Sequence, residues 1–258
     1  MKQTALITGA SSGIGLELSH VFSRNGFDLV LVARSKEKLI ELSRELTDQY
    51  AVKVYVINAD LSEHVASILV YNEIKRLGVE IDILVNNAGV GLYGEFLKQN
   101  WGSLDKMIVL NMHTLTHLTH LFLPSMVSRK RGKIIQIAST AAFQPGPTMA
   151  VYYATKSYVL SFSAALQHEL KGTGVTVTTI CPGPTRSGFQ DAANMKESRL
   201  FSMMTVPGSD EVAEFTYKMA MKGKTVAIHG FLNRIMAFST RFVPRILLMG
   251  MANSIMAK

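Results

Sequence analysis

Tyr152 and Lys156 stand four residues apart in "YYATK" (152–156). On a helix, that spacing puts both on one face. A free phenol titrates near ~10, and a nearby ammonium favours the phenolate and lowers that value. Ser139 ends the apolar run "KIIQIAS" (133–139). If that run is a strand, its hydroxyl points at the same rim. A phenol, an ammonium and a hydroxyl there can hold a carbonyl oxygen and protonate it as hydride reaches the carbon. Y-x-x-x-K alone is common on exposed helix faces, so the reading needs support from the rest of the chain.

A second stretch, "TGASSGIG" (8–15), admits two chemistries. Gly9, Gly13 and Gly15 would let the backbone approach a pyrophosphate. Ser11 and Ser12 add hydroxyl donors, and the helix opening at Gly13-Ile14-Gly15 offers unpaired N–H groups. The spacing is G-x3-G-x-G rather than the common G-x-G-x-x-G. Gly9 to Gly13 also reads as G-x-S-x-G, a serine-hydrolase elbow with Ser11 as nucleophile. That reading needs an acid, Asp60 or Asp82, and a histidine. Of the seven histidines only His229 falls near the end of a late strand. An elbow on the first strand is unusual, so the phosphate cradle is the stronger reading.

The elements around these residues alternate. Short apolar runs at 4–8, 28–33, 53–58, 82–86, 133–139, 175–181 and 224–229 predict strands. Helical spacing fills 13–26, the charged stretch ending near Tyr50, about 62–77, Trp101 to about Ser128, Tyr152–Lys171 and Asp210–Lys222. Strands apolar on both faces imply a parallel sheet covered on each side. The expected fold is α/β: a doubly wound, Rossmann-type, seven-stranded parallel sheet with helices on both faces. Residues 1–230 are read as one dinucleotide-binding and catalytic domain. Residues 231–258 are read as a C-terminal amphipathic helical extension of it, broken at Val243-Pro244.

Bulk composition narrows the function. The chain of 258 residues is 48% hydrophobic and 18% charged, with a net charge of +8. No run reaches the ~18 apolar residues that span a bilayer, and no secretory signal is legible. Cys181 is the single cysteine, which excludes an intrachain disulfide and suits a reducing cytosol; a cytoplasmic location is expected. From Phe215 to Lys258 there are seven Lys/Arg and no Asp or Glu. The one compact basic run, "SRKRGK" (128–133), joins a helix to a strand and reads as a solvated turn. Nucleic-acid binding is therefore not expected.

Several motifs in order resemble the short-chain dehydrogenases/reductases: "TGASSGIG", "NADL" (58–61), "NNAG" (86–89), Asn111, "IAST", "YYATK" and "CPGPTRSGF" (181–189). They cover roughly residues 4 to 229. The resemblance implies that Ser139, Tyr152 and Lys156 are catalytic, with Asn111 joining them through a water relay. Lys156 would also hold the nicotinamide ribose. Asp60 and Leu61 would contact adenine, and Asn86, Ala88 and Gly89 would lie beside the adenosine ribose. Pro182, Gly183 and Thr185 would face the nicotinamide. The opening stretch then becomes a pyrophosphate cradle.

Arg34 ends the second strand, where an acid would bind a ribose 2′-OH and an arginine accommodates a 2′-phosphate. The expected cofactor is NADP(H), and the expected reaction is reduction of a ketone or aldehyde, or oxidation of the matching alcohol. A non-catalytic dinucleotide sensor is the other alternative; it would have no need of the phenol and ammonium. The resemblance implies that segment 187–208 covers the substrate; its Phe189, Met195, Leu200, Phe201, Met203 and Met204 would then line an apolar pocket, ordinary helix packing being the other reading. The tail is expected to pack beside that lid, on its own subunit or across a dimer, with its basic residues outward, membrane contact being the lesser reading. His113, His117 and His120 share a helix stripe, but no Asp, Glu or Cys completes a metal site. They are read as surface or as a homodimer or homotetramer interface.

Overall fold

The computed structural model describes residues 2–188, 206–244 and 246–250. The strands are β1 Thr4–Thr8, β2 Asp28–Ala33, β3 Val54–Asn58, β4 Ile83–Asn86, β5 Gly132–Ile137, β6 Val175–Cys181 and β7 Val226–Ile228. They form one parallel sheet in the order β3-β2-β1-β4-β5-β6-β7. β1 is buried along its whole length, as its unbroken apolar run requires. Its successive side chains serve opposite faces. Ile7 joins Leu18 and Phe22 of α1 (Gly13–Arg24) and Leu39 and Leu46 of α2 (Lys36–Tyr50). Leu6 joins Val70 and Ile74 of α3 (Ala66–Arg76) on the other face. Burying one such side chain stabilises the fold by about 1.5–3 kcal/mol.

β1 pairs with both β2 and β4, so the winding reverses there. The crevice beyond the carboxyl ends of these strands is where such sheets bind ligands.

Two sequence expectations change, and a third falls partly outside the described residues. The long helix is interrupted: α4 is Trp101–Ile108, α5 is Leu115–Ser128, and Val109–Thr114 between them is π-helical. The basic turn does not simply face water. Arg129 and Arg131 donate to Oδ1 of buried Asp82 at 3.0 and 2.8 Å, while Asp82 Oδ2 accepts from Thr4 N. A carboxylate at the amino end of the sheet needs such partners to be buried.

The tail is the third. After α6 (Ala150–Glu169) and α7 (Ser209–Met221), α8 spans Phe231–Ser239, and residues 246–250 are again helical. α8 buries Asn233 and Ala237 but exposes Phe231, Leu232, Ile235, Met236 and Phe238. On the single chain these apolar side chains face outward. Most of the expected lid, residues 189–205, lies outside the described residues, as do 251–258.

Candidate active site

Ser139 follows β5 and opens the 3₁₀ turn Thr140–Phe143, where its Oγ accepts from Ala141 N at 3.1 Å. Tyr152 and Lys156 lie in the first half of α6, both buried. Lys156 Nζ donates to Ile137 O at 2.9 Å, which ties the helix to the end of β5. The same ammonium stands 5.9 Å from the centre of the Tyr152 ring. The spacing of four has thus put phenol and ammonium together.

Burial decides the protonation of both groups. It pushes the Tyr152 phenol up, with a hydrogen bond to Ser139 pulling the other way and Tyr153 adding to the rise. Tyr152 is therefore a neutral proton donor in this state, not the phenolate that a nearby ammonium alone would favour. Burial draws Lys156 down to about 8, against an opposing contribution from Cys181.

Asn111 sits in the π-helical turn. Its Oδ1 accepts from Val90 N at 3.0 Å and its Nδ2 donates to Val90 O at 2.9 Å, as a strand neighbour would. Nδ2 also donates to Thr155 Oγ1 at 3.1 Å, and Thr155 Oγ1 donates to Tyr152 O. The extra residue per turn lets the side chain reach across, and such bulges recur at functional sites. Gly89 is wedged into the same group. A Cβ there would lie 3.2 Å from Asn111 Oδ1 and 3.4 Å from Lys156 Nζ.

The first turn is built on close approach. A Cβ on Gly15 would come within 2.2 Å of Gly9 O, so only glycine lets α1 dock on the turn. The Ser12 hydroxyl makes no cap bond, and the first N–H groups of α1 (at Gly13, Ile14 and Gly15) have no carbonyl one turn earlier in the helix. Ser11 precedes them. A cleft of about 420 Å³ opens at Gly13 between Glu17, Arg186, Ser187 and Ser209. Thr8 braces the turn, accepting from Asn87 N and Ala88 N, both at 3.0 Å, and donating to Val85 O.

A family model for short chain dehydrogenases matches residues 3–198. The chain belongs to the short-chain dehydrogenase family. It is 36% identical over 184 residues to the very-long-chain 3-oxoacyl-CoA reductase of Anas platyrhynchos, covering 69% of this chain and 58% of that one. The chain therefore spans under two thirds of that relative's length. A short-chain dehydrogenase from Sphingobium yanoikuyae, solved in complex with NADPH, is 33% identical with a TM-score of 0.84 over 93% of each chain. The bulky-bulky ketone specific alcohol dehydrogenase from Comamonas testosteroni is 32% identical, with a TM-score of 0.79 over 93% of this chain and 92% of that one.

The remaining sequence-assigned positions of this short-chain dehydrogenase gather along the same edge. Arg34 follows β2 and is exposed; its carbonyl is pinned by Asn58 Nδ2 at 2.7 Å. Burial acts against the Asp60 charge, but hydrogen bonds from Ser62 and the positive charge of Arg34 hold its carboxyl below the ordinary range. Leu61 is buried in the core. After β6, Thr185 Oγ1 donates to Gly183 O at 3.0 Å and Pro182 O accepts from Thr140 N. Asn86 is the exception. Its Nδ2 donates to Leu115 O and Thr119 Oγ1 inside the protein, so its side chain braces α5, and Asn87 to Gly89 form the loop at the crevice.

Asn58, Thr8, Asn87 and Thr155 were not singled out by spacing. Thr8 and Asn87 carry a sequence signal, since each adjoins a glycine motif; Thr155 and its partner Asn111 are 44 residues apart.

The hydrolase arrangement is not assembled. Asp82 lies at the amino ends of the strands, opposite Ser11. Asp60 follows β3 and His229 follows β7, at opposite edges of the sheet. The His229 ring packs on Phe215 at 5.0 Å. Among the described residues no cluster of His, Cys, Asp or Glu suits a metal. His117 Nδ1 pairs with Ser67 Oγ at 2.6 Å between α5 and α3, and His113 packs against His64 and His117.

Proposed function

We propose that the protein reduces the carbonyl of an apolar ketone or aldehyde, with NADPH as hydride donor and Tyr152 as proton donor. The observation that carries this reading is the meeting of Ser139, Tyr152, Lys156 and Asn111 beside a glycine turn that leads into a free helix end. When bound, the reduced nicotinamide supplies the hydride. Tyr152, neutral because it is buried, gives its proton to the carbonyl oxygen. The Ser139 hydroxyl orients that oxygen. The Lys156 ammonium stabilises the phenolate left behind, and Asn111 holds the loop at Val90 against α6. A buried phenol coupled to an ammonium has no use in a sensor that only binds a dinucleotide.

Arg34 at the end of β2 supports NADPH, since a guanidinium can pair bidentately with a 2′-phosphate. The NADPH-bound relative from Sphingobium yanoikuyae supports the same choice. The wall around Tyr152 is apolar: Val90, Leu92, Tyr93, Ala141, Met149 and Tyr153. The named relatives act on a 3-oxoacyl-CoA and on bulky ketones, so a ketone flanked by a long or bulky apolar group fits best. The deciding test is incubation with NADPH and a panel of such ketones, followed at the nicotinamide absorbance. No oxidation of NADPH with any ketone would overturn the proposal.

Two predictions arise here. Arg34→Ala should weaken NADPH binding about 10–100-fold, the worth of a charge-assisted hydrogen bond of about 1.5–3 kcal/mol. NADH binding should barely change. Equal affinity of the unaltered protein for both cofactors would rule out the assignment of Arg34.

The second concerns pH. Lys156 is cationic below about 8 and neutral above it, while Tyr152 stays protonated well beyond that point. Reduction should therefore decline as pH rises through about 8. A pH profile of kcat/KM that stays flat through that region would exclude a role for the ammonium.

A further inference from the structure

We infer that the segment beyond β7 is a docking face for an anionic lipid surface. α8 is seated by Asn233 and Ala237, one turn apart. Asn233 Nδ2 donates to His229 O at 2.8 Å, and a Cβ on Gly183 would come within 2.4 Å of that amide nitrogen. Leu248 is also buried. These contacts fix which face of the segment looks outward, and it is the apolar one. Phe231 is 74% exposed, Phe238 57%, Phe242 73% and Ile246 73%. A run of large apolar side chains this exposed marks an interaction site.

Charge selects the occupant. Beyond β7 the sequence carries Arg234, Arg241, Arg245 and Lys258 and no Asp or Glu. Arg241 places its guanidinium 5.7 Å from the centre of the Phe238 ring, so a cation sits within the aromatic patch itself. A second copy docked about a two-fold axis would bring these cations together, with no carboxylate in the segment to pair them. Anionic headgroups supply the missing charge, and the acyl boundary accepts the phenyl rings. α8 has nine residues, far short of the roughly 20 that span a bilayer. No described helix is long and apolar enough to cross one. The segment would therefore lie in the interface plane.

The test is co-sedimentation of the full chain with vesicles of phosphatidylcholine, alone or mixed with phosphatidylserine. The protein is expected to pellet with the mixed vesicles and to be released by salt. The double substitution Phe238→Ser/Phe242→Ser and the single Arg241→Glu should each lower that partition at least about tenfold. All three residues are exposed, so the thermal melting temperature should stay the same. An unaltered protein left in the supernatant with both vesicles would overturn the inference, as would variants that pellet equally well. Equal pelleting with phosphatidylcholine alone would refute the anionic requirement. If the double variant instead converts a dimer to monomers in sedimentation velocity, with vesicle binding unmoved, the face belongs to a second copy.

Discussion

Tyr152→Phe is expected to lower the rate of carbonyl reduction about 10²–10⁴-fold, the range supplied by a positioned general acid. The substitution removes only the hydroxyl. The ring keeps its place among Leu104, Met107 and Met149, so folding and NADPH binding should survive. Tyr153→Phe is the matched control. Tyr153 is half-buried, its phenol is likewise pushed up by burial, and its hydroxyl bonds Gln144 rather than Ser139. It should lose no more than a few-fold in rate. Single-turnover kinetics with NADPH and an apolar ketone would separate the two. A severe Tyr153→Phe beside a mild Tyr152→Phe would mean that the wrong phenol has been assigned.

Asp82→Ala should have the largest effect on stability. It leaves Thr4 N and the Arg129 and Arg131 guanidiniums without their shared carboxylate. Removing one partner of a buried ion pair costs about 3–5 kcal/mol. Arg129 keeps Glu80 and Arg131 is well exposed, so the lower figure is the better guide, about 3 kcal/mol. At roughly 2–4 °C per kcal/mol for a chain of this size, the melting temperature should drop by about 6–12 °C. Because Asp82 lies at the far end of the sheet from Tyr152, activity per folded molecule should be unchanged below the new transition. A protein that melts normally but is inactive would make Asp82 a chemical group rather than a brace.

The four-residue spacing of Tyr152 and Lys156, the glycines of the first turn and the seven apolar runs were legible because each is a local pattern. Helical periodicity puts two side chains on one face whatever the rest of the chain does. An apolar run of five or six residues records burial on both sides of a strand. The position of Arg34 at a strand end needed only the strand and its direction.

Tertiary structure decided what depends on distant partners. Asn111 reaches Val90, 21 residues away, and Thr155, 44 away. The π-helical turn that allows this leaves no mark in a 3.6-residue period. Arg129 meets Asp82 across 47 residues, so a basic run that reads as a solvated turn also braces a buried carboxylate. Asn86 and Asn87 are adjacent amides in one motif, yet strand alternation sends the first into α5 and the backbone turn brings the second to the glycine loop. The protonation of Tyr152 followed the same rule. Spacing brought an ammonium near, but burial is what moves the phenol, and it moves it up. In the tail the sequence determined an amphipathic, basic helix. Its outward-facing side was set by the seating of Asn233 beside Gly183, because amphipathicity says that one face differs from the other and only a docking contact says which of them meets the protein.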